Sequence, residues 1–277
     1  MPHSTLRRAL AAIGTAAIVV TALAACDPAA PASDYVTEGK LTIATGNPAY
    51  YPWVIDDNPE SGEGFEAAIA YAVAEELGFA KEDVVWVRTG FDEVIAPGPK
   101  TFDFNLQQFS ITPDREEVVD FSSPYFETTQ VVITTETSEA ADATSLADLK
   151  DLLIGAATGT TSFAAAESEI APTAGVQVFN SNDDAKLALE SGTVDAIVVD
   201  LPTAFYLTGV ELTGGLIIGQ LPTTEGETGD QFGLLLPKDS ALTADVTAAV
   251  DALRDSGKLQ EIADEWLADA GSAPVLQ

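Results

Sequence analysis

Between Gly192 and Asp200 runs Val194-Asp195-Ala196-Ile197-Val198-Val199, apolar at every position but one and too short for a buried helix. Such a run is expected of a strand covered on both faces, where each side chain meets apolar neighbours whichever way it points. The segments before it alternate in the same way. Lys40 to Thr45 reads as a strand with Leu41 and Ile43 on one face, and Phe65, Ile69, Val73 and Leu77 recur every four residues as a helix face that Gly78 closes. Val84 to Val87 is the next strand, Phe91 to Ile95 begins a helix that Pro97-Gly98-Pro99 interrupts, and Phe102 to Ile111 is expected to return the chain to the sheet.

A second set starts at Gln130. Gln130 to Thr135 is a β-branched strand, Thr144 to Lys150 a short helix, Leu152 to Ala156 a strand and Phe163 to Ile170 a helix. Val176 to Phe179 is a strand, and Ser181 with Asp184 opens a helix that Gly192 ends. After Val194 to Val199 come the strand Phe232 to Leu236 and two closing helices marked by Val246, Val250, Leu253 and by Leu259, Ile262, Trp266. Strands alternating with helices imply an α/β architecture, and two successive sets predict two lobes. The 277 residues, 46% of them apolar, suffice for one large core or two modest ones.

The N-terminus has a different character. Arg7 and Arg8 precede an uncharged stretch from Ala9 to Ala25, which ends in Leu23-Ala24-Ala25-Cys26. A basic start, a short apolar run and a small-residue cleavage zone predict a signal peptide over residues 1–25. The cleavage zone resembles a bacterial lipobox, so Cys26, the single cysteine, is expected to carry lipid, with residues 26–37 as a Pro- and Ala-rich tether. The expected location is extracytoplasmic, anchored to the cell membrane.

Several chemistries are excluded. Twelve Lys plus Arg against 44 Asp plus Glu give a formal charge of −32, the wrong sign for a phosphate backbone, so no nucleic-acid partner is expected. The only histidine is His3, inside the signal, which leaves no Ser-His-Asp or Cys-His pair and no Cys/His metal site. No GxxxxGK[ST] or GxGxxG occurs, and no cofactor or metal is expected.

Ligands of α/β sheets sit beyond the carboxyl ends of strands. Three such loops carry unusual polar content, namely Thr45 to Trp53, Ser110 to Arg115 and Ala157 to Ser162, and Asp200 directly follows the apolar strand. Thr158 to Ser162 is either a turn with a helix cap or an anion site built from hydroxyls and helix-start amides. Asp200 either caps a helix starting near Pro202 or offers a fixed charge to an ammonium. Tyr50, Tyr51, Trp53 and Phe91 are core or pocket wall. Arg115 is one of three arginines after the signal. It either pairs on the surface with Asp114, Glu116 and Glu117, or serves as a planar fork for a carboxylate, with the hydroxyls of Ser110 and Thr112 within one turn. A carboxylate for Arg115 and the threonine loop plus an ammonium for Asp200 describes an amino acid.

These residues carry a resemblance. Gly64-Phe65-Glu66, Ser110-Ile111-Thr112-Pro113-Asp114-Arg115, Asp120-Phe121-Ser122-Ser123-Pro124-Tyr125 and Gly155-Ala156-Ala157-Thr158-Gly159-Thr160-Thr161-Ser162 are similar to the motifs of the solute-binding protein family 3, the polar amino-acid binding proteins of ABC importers. The resemblance implies a periplasmic-binding-protein type II clamshell, with hinge strands near Glu127 to Gln130 and Thr228 to Phe232. Lobe 1 then comprises 38–128 and 230–277, and lobe 2 comprises 129–229. It also implies that Arg115 and Thr160-Thr161 hold the α-carboxylate, Ser110 offers its backbone, Asp200 takes the α-amino group, and Tyr50 and Phe91 hold the side chain. Trp53 and Thr112 complete the expected ligand set.

Two positions depart from the pattern. Glu66 replaces an aspartate, and Ala157 and Val199 stand where some glutamine- or basic-ligand members carry polar readers. The side-chain pocket is expected to be less polar than theirs apart from Asn47, Gln107 and Gln108, with the ligand's identity open. A permease and an ATPase are the implied partners of a protein expected to act as a monomer and not as an enzyme. The alternatives are a cyclohexadienyl-dehydratase-like enzyme on the same scaffold and the sensory domain of a larger receptor.

Overall fold

A computed structural model describes residues 34–223, 229–267 and 272–277, so the expected signal peptide and Cys26 lie outside the described residues. Within them the chain forms β1 (Leu41–Gly46), β2 (Val84–Thr89), β3 (Phe104–Asn105), β4 (Val119–Thr128), β5 (Gln130–Thr135), β6 (Ile154–Ala157), β7 (Gln177–Phe179), β8 (Ala196–Asp200), β9 (Gly215–Gln220) and β10 (Asp230–Pro237). They make two five-stranded mixed sheets in the orders β2-β1-β3-β10-β4 and β7-β6-β8-β5-β9. In the first, β1 runs parallel to β2 and β3 while β10 is antiparallel to β3 and β4. In the second, β6 is parallel to β7 and β8 while β5 is antiparallel to β8 and β9. Each sheet with its helices is one lobe of a type II clamshell.

The period-two alternation of side chains explains why each sheet is covered twice. Along β5 and β8, Val131, Ile133, Ile197 and Val199 join a core with Ala185 and Leu189 of the helix Asn182–Glu190. Val132, Val198 and Ala196 point the other way, to Leu149, Ile154 and Ile170. In the first lobe Leu41, Ile43, Leu234 and Leu236 meet Phe65, Ile69 and Val73 of the helix Phe65–Glu76 and Leu253 and Ile262 of the two closing helices. Ala44 and Leu235 face Val94, Phe102 and Phe109 on the opposite side. Burying a side chain of this size stabilises the fold by about 1.5–3 kcal/mol, and the completely buried Phe65, Ile133 and Val198 sit at the centres of these layers.

The structure corrects several sequence expectations. Phe102 to Ile111 contributes only the two-residue β3, because Gln108 adopts a positive φ of 51° and its N–H bonds the Glu66 carboxylate at 2.7 Å, which turns the chain out of the ladder. Ser110 regains the sheet through an isolated bridge to Phe232. The strands β4 and β9 were not expected. β4 carries Ser122, Ser123 and Pro124, which break an apolar alternation, and the sheet tolerates them at register shifts against β10 around Gly233. The helix expected from Phe163 starts earlier, at Thr161, and ends as a π turn over Ala166–Ile170.

The chain leaves the first sheet at Thr128, enters the second at Gln130, and is back in the first by Asp230, which pairs with Thr128. The two crossings meet at this pair, Thr128 with Asp230. They pack so tightly that a Cβ at Gly229 would lie 2.1 Å from the Thr128 carbonyl oxygen. Gly229→Ala is expected to push the crossings apart and to lower stability by about 1–3 kcal/mol, read as a reduced denaturant midpoint. An unchanged midpoint would show that the crossings are not held in this contact.

Candidate functional site

The helix Pro113–Glu116 positions the guanidinium of Arg115. Thr112 caps it, its hydroxyl accepting from Arg115 N at 3.3 Å, and Pro113 supplies a first residue that needs no N–H partner. The guanidinium turns inward, leaving Arg115 8% exposed. Nη1 donates to the Ser110 carbonyl at 2.7 Å in the first lobe and Nη2 to the Gly159 carbonyl at 2.8 Å in the second. It lies over the Phe91 ring, 5.4 Å from its centroid. Among the described residues it forms no ion pair with Asp114, Glu116 or Glu117. Burial lowers its pKa, and the charges of Asp230 and Asp200 oppose that shift.

The facing wall comes from the second lobe. Thr160 caps the helix Thr161–Ala165, accepting from Phe163 N at 3.1 Å and donating to the Ala157 carbonyl at 2.7 Å. Gly159 before it has a φ of +68°, which strains any side chain there, and a Cβ would also have to displace Asp92 Oδ1, 2.8 Å away. Thr161 Oγ1 lies 3.1 Å from Ser110 Oγ across the lobes. Asp200 ends β8 and precedes the helix Leu201–Tyr206, but its side chain makes no capping bond there, so the carboxylate is turned into the cavity.

These groups enclose a cavity of about 200 Å³. Tyr50, Phe91, Ser110, Arg115, Thr160, Thr161 and Asp200 all line it, with Asn47, Gln107, Gln108, Asn180 and Asn182 among their neighbours. Two expected members are elsewhere. Trp53, 1% exposed, sits in the core of the first lobe with ring centroids 5.8 Å from Phe65 and Phe232, and its indole N–H reaches Thr203 at 3.4 Å. Thr112 acts through its cap and does not face the cavity. The three clustered aromatics thus separate: Tyr50 lines the cavity, Tyr51 packs on Tyr206 at 4.7 Å, and Trp53 is core. Arg88 fastens the loop that presents Asn47 and Tyr50, donating to the Gly46 carbonyl and pairing with Asp57, both at 2.6 Å.

Sequence reasoning did not single out Gln130 or Asp230. The Gln130 amide nitrogen lies 2.9 Å from Asp200 Oδ1, 2.5 Å from Asp230 Oδ2 and 3.3 Å from Thr161 Oγ1, joining site and crossing segments. The one local signal was a glutamine opening a strand of β-branched residues. Burial, then the charge of Asp230, pushes the Asp200 carboxyl up to about 7, against the pull of Gln130 and Arg115. Behind the site Glu66, 1% exposed, is raised to about 7 by burial, although the Tyr125 hydroxyl and Gln108 donate to it. Among the described residues no group of His, Cys, Asp and Glu could hold a metal ion, and no helix is long and apolar enough to cross a membrane.

Two α/β lobes, joined by two crossings and closing on a cavity with a buried guanidinium on one side and a carboxylate on the other, define a binding protein of the type II class. The chain belongs to the bacterial extracellular solute-binding proteins, family 3, whose family model matches residues 41–269. It is 32% identical over 225 residues to an L-arginine-binding protein of Pseudomonas aeruginosa, covering 79% of this chain and 84% of that protein. The solved structure of an ancestral arginine-binding protein bound to glutamine is 29% identical, with a TM-score of 0.69 over 83% of this chain and 98% of the other. An ancestral amino acid-binding protein that is a precursor of cyclohexadienyl dehydratase is 28% identical, with a TM-score of 0.66 over 82% and 95%.

The raised carboxyls make a prediction about stability. Asp200 and Glu66 have ordinary values of 3.8 and 4.5, so the folded protein keeps protons that the unfolded chain has released between about pH 4 and about pH 7. Their contribution is largest below about pH 4 and falls as pH rises through that window. The free protein's melting temperature is expected to decline from pH 5 to pH 7.5, and Asp200→Asn to make the decline shallower. An identical slope in both proteins would rule out a protonated Asp200.

Proposed function

We propose that the protein is the receptor of an ABC importer, binding one free α-amino acid between its lobes. Arg115 and the Thr160-Thr161 loop take the carboxylate, the Ser110 region flanks it, Asp200 takes the ammonium, and Tyr50 and Phe91 hold the side chain. The lobes in this reading are 38–128 with 230–277, and 129–229. Removal of residues 1–25 leaves a lipid on Cys26 that keeps the protein at the cell membrane as a monomer, where a permease coupled to an ATPase engages the closed form.

One observation carries this reading: a buried cation and a largely buried anion from opposite lobes line the same cavity. A zwitterion neutralises both at once, and only when the lobes are closed, so its binding energy shifts the population toward closure. A mono-acid or a simple amine satisfies one end and leaves the other charge buried and unpaired, which costs several kcal/mol. The amino acid-binding relatives support the same class of ligand.

A thermal-shift screen of the twenty amino acids is expected to find at least one that raises the melting temperature, and calorimetry is expected to show Arg115→Ala weakening it at least about a hundred-fold, about 2.7 kcal/mol. Because the ammonium needs Asp200 ionised, binding is expected to release a proton near neutral pH and to weaken as pH falls below about 7. Full affinity in Arg115→Ala would end the carboxylate assignment.

Dehydration of a cyclic carboxylic acid is the second reading. It is favoured by a carboxyl that holds its proton up to about 7 in the cavity and by the similarity to the dehydratase precursor. Incubation with cyclic dienyl carboxylic acids decides it by the presence or absence of product.

A further inference from the structure

We infer that residues 272–277 form a strap, a third tie between the lobes beside the two crossings, which limits how far the lobes separate. The inference concerns the motion of the lobes and does not rest on which ligand the cavity takes.

After Asp230 the chain packs its two closing helices into the first lobe, where Leu253, Leu259, Ile262 and Leu267 belong to the core. Residues 272–277 lie elsewhere. Leu276, 3% exposed, is buried in the second lobe among Val132, Leu149, Ile154 and Val198. Backbone bonds seat the segment against β9: Gln220 N donates to the Pro274 carbonyl at 2.7 Å, Leu276 N donates to the Gln220 carbonyl at 2.9 Å, and Val275 bridges Gln220 in parallel. Leu146 N donates to the Gln277 carbonyl at 3.1 Å. The sequence suits an added edge strand, since Pro274 gives the sheet its carbonyl and needs no N–H, while Val275 is exposed and Leu276 is buried. Gly219 makes room for it. A Cβ there would lie 2.7 Å from the Pro274 carbonyl oxygen and 2.8 Å from Leu276 Cγ.

The position of the strap gives it leverage. The crossings meet at Thr128 and Asp230, and the first of them enters the second sheet at β5. The strap pairs with β9, two strands from β5, and so lies roughly 10 Å from that crossing at about 4.8 Å per strand. Two crossings that meet in one pair leave the lobes free to turn about them, and a tie held off to one side restrains the turn. From Leu267 in the first lobe to Ser272 the chain takes five Cα–Cα steps, which reach at most about 19 Å. Both residues border a cavity of about 590 Å³ together with Thr128, Thr129 and Gln220. Gln220 joins strap to crossing, its Oε1 accepting from the Thr129 hydroxyl at 2.6 Å and its Nε2 donating to the Ala273 carbonyl. A restrained opening keeps the free protein nearer its closed form, so less binding energy is used in closing it.

The test reads the separation of the lobes in the free protein. Spin labels are placed on Glu76→Cys in the first lobe and Glu190→Cys in the second, both exposed positions, in a chain carrying Cys26→Ser, and their distance distribution is measured. Three changes are then made to this parent. Leu276→Asp removes the anchor of the strap, Gly219→Val crowds its seat, and a Gly-Ser insert of about ten residues after Ala270 slackens the tie. Each is expected to broaden the distribution and to extend it toward longer distances by at least about 5 Å, one strand spacing. The insert leaves residues 272–277 themselves unchanged, so it decides the inference even if neither substitution folds. A lengthened chain whose distribution superimposes on the parent's overturns the strap, whatever the substitutions do. A parent already as broad as Leu276→Asp overturns it as well.

Discussion

A guanidinium withdrawn from water between two carbonyl groups is the constraint on which this molecule turns. Desolvating such an ion costs several kcal/mol, and two neutral carbonyls return only part of that. The fold supplies the remainder from several directions: the Phe91 face, the negative field of Asp200 and Asp230, and a helix capped by Thr112 that holds the side chain inward. One carbonyl belongs to each lobe, so this ion ties the lobes together. Fully satisfied by protein groups, it would be an internal strut; its place in the cavity wall is what the proposed carboxylate role rests on.

How much of this was legible in the sequence depended on how local the cause was. Arg115 stood out because basic residues are scarce after the signal, and the loops at strand ends were found because alternation of strand and helix is a short-range pattern. Gly78, with a φ of +85°, and Ser181, whose hydroxyl accepts from Asp184 N at 3.1 Å, were readable for the same reason. Trp53 was not, since its neighbours Phe126 and Phe232 are far along the chain and only the folded lobe shows that a tryptophan next to Pro52 fills a core. The contact of Gln130 with Asp230 joins residues 100 positions apart, and no periodicity encodes it.

The other two arginines after the signal show how scarce cations are distributed in so acidic a chain. Arg88 pairs with Asp57 and fixes the loop that brings Asn47 and Tyr50 to the cavity, and Arg254 pairs with Asp251 beside the Pro124 carbonyl of β4. Both are more exposed than Arg115 and hold one lobe's own parts in register, so their pairs contribute little individually to stability. Only Arg115 is committed to the space between the lobes. That one arginine stands in the negative field of Asp230 and Asp200.

The Gln130 amide joins both aspartates to the crossings. Its nitrogen has two N–H donors and three oxygens within 3.3 Å, two of them on carboxylates, and it stands where the crossing segments meet. Burial, and then the negative charge of Asp230 beside it, raises the Asp200 carboxyl to about 7. An arriving ammonium brings up to three further donors and a positive charge. In the proposed binding mode that positive charge compensates the charge Asp200 takes on when it ionises beside Asp230. The crossings and the cavity wall share these residues because they are adjacent ends of the same strands, Gln130 at the start of β5 opposite Asp200 at the end of β8.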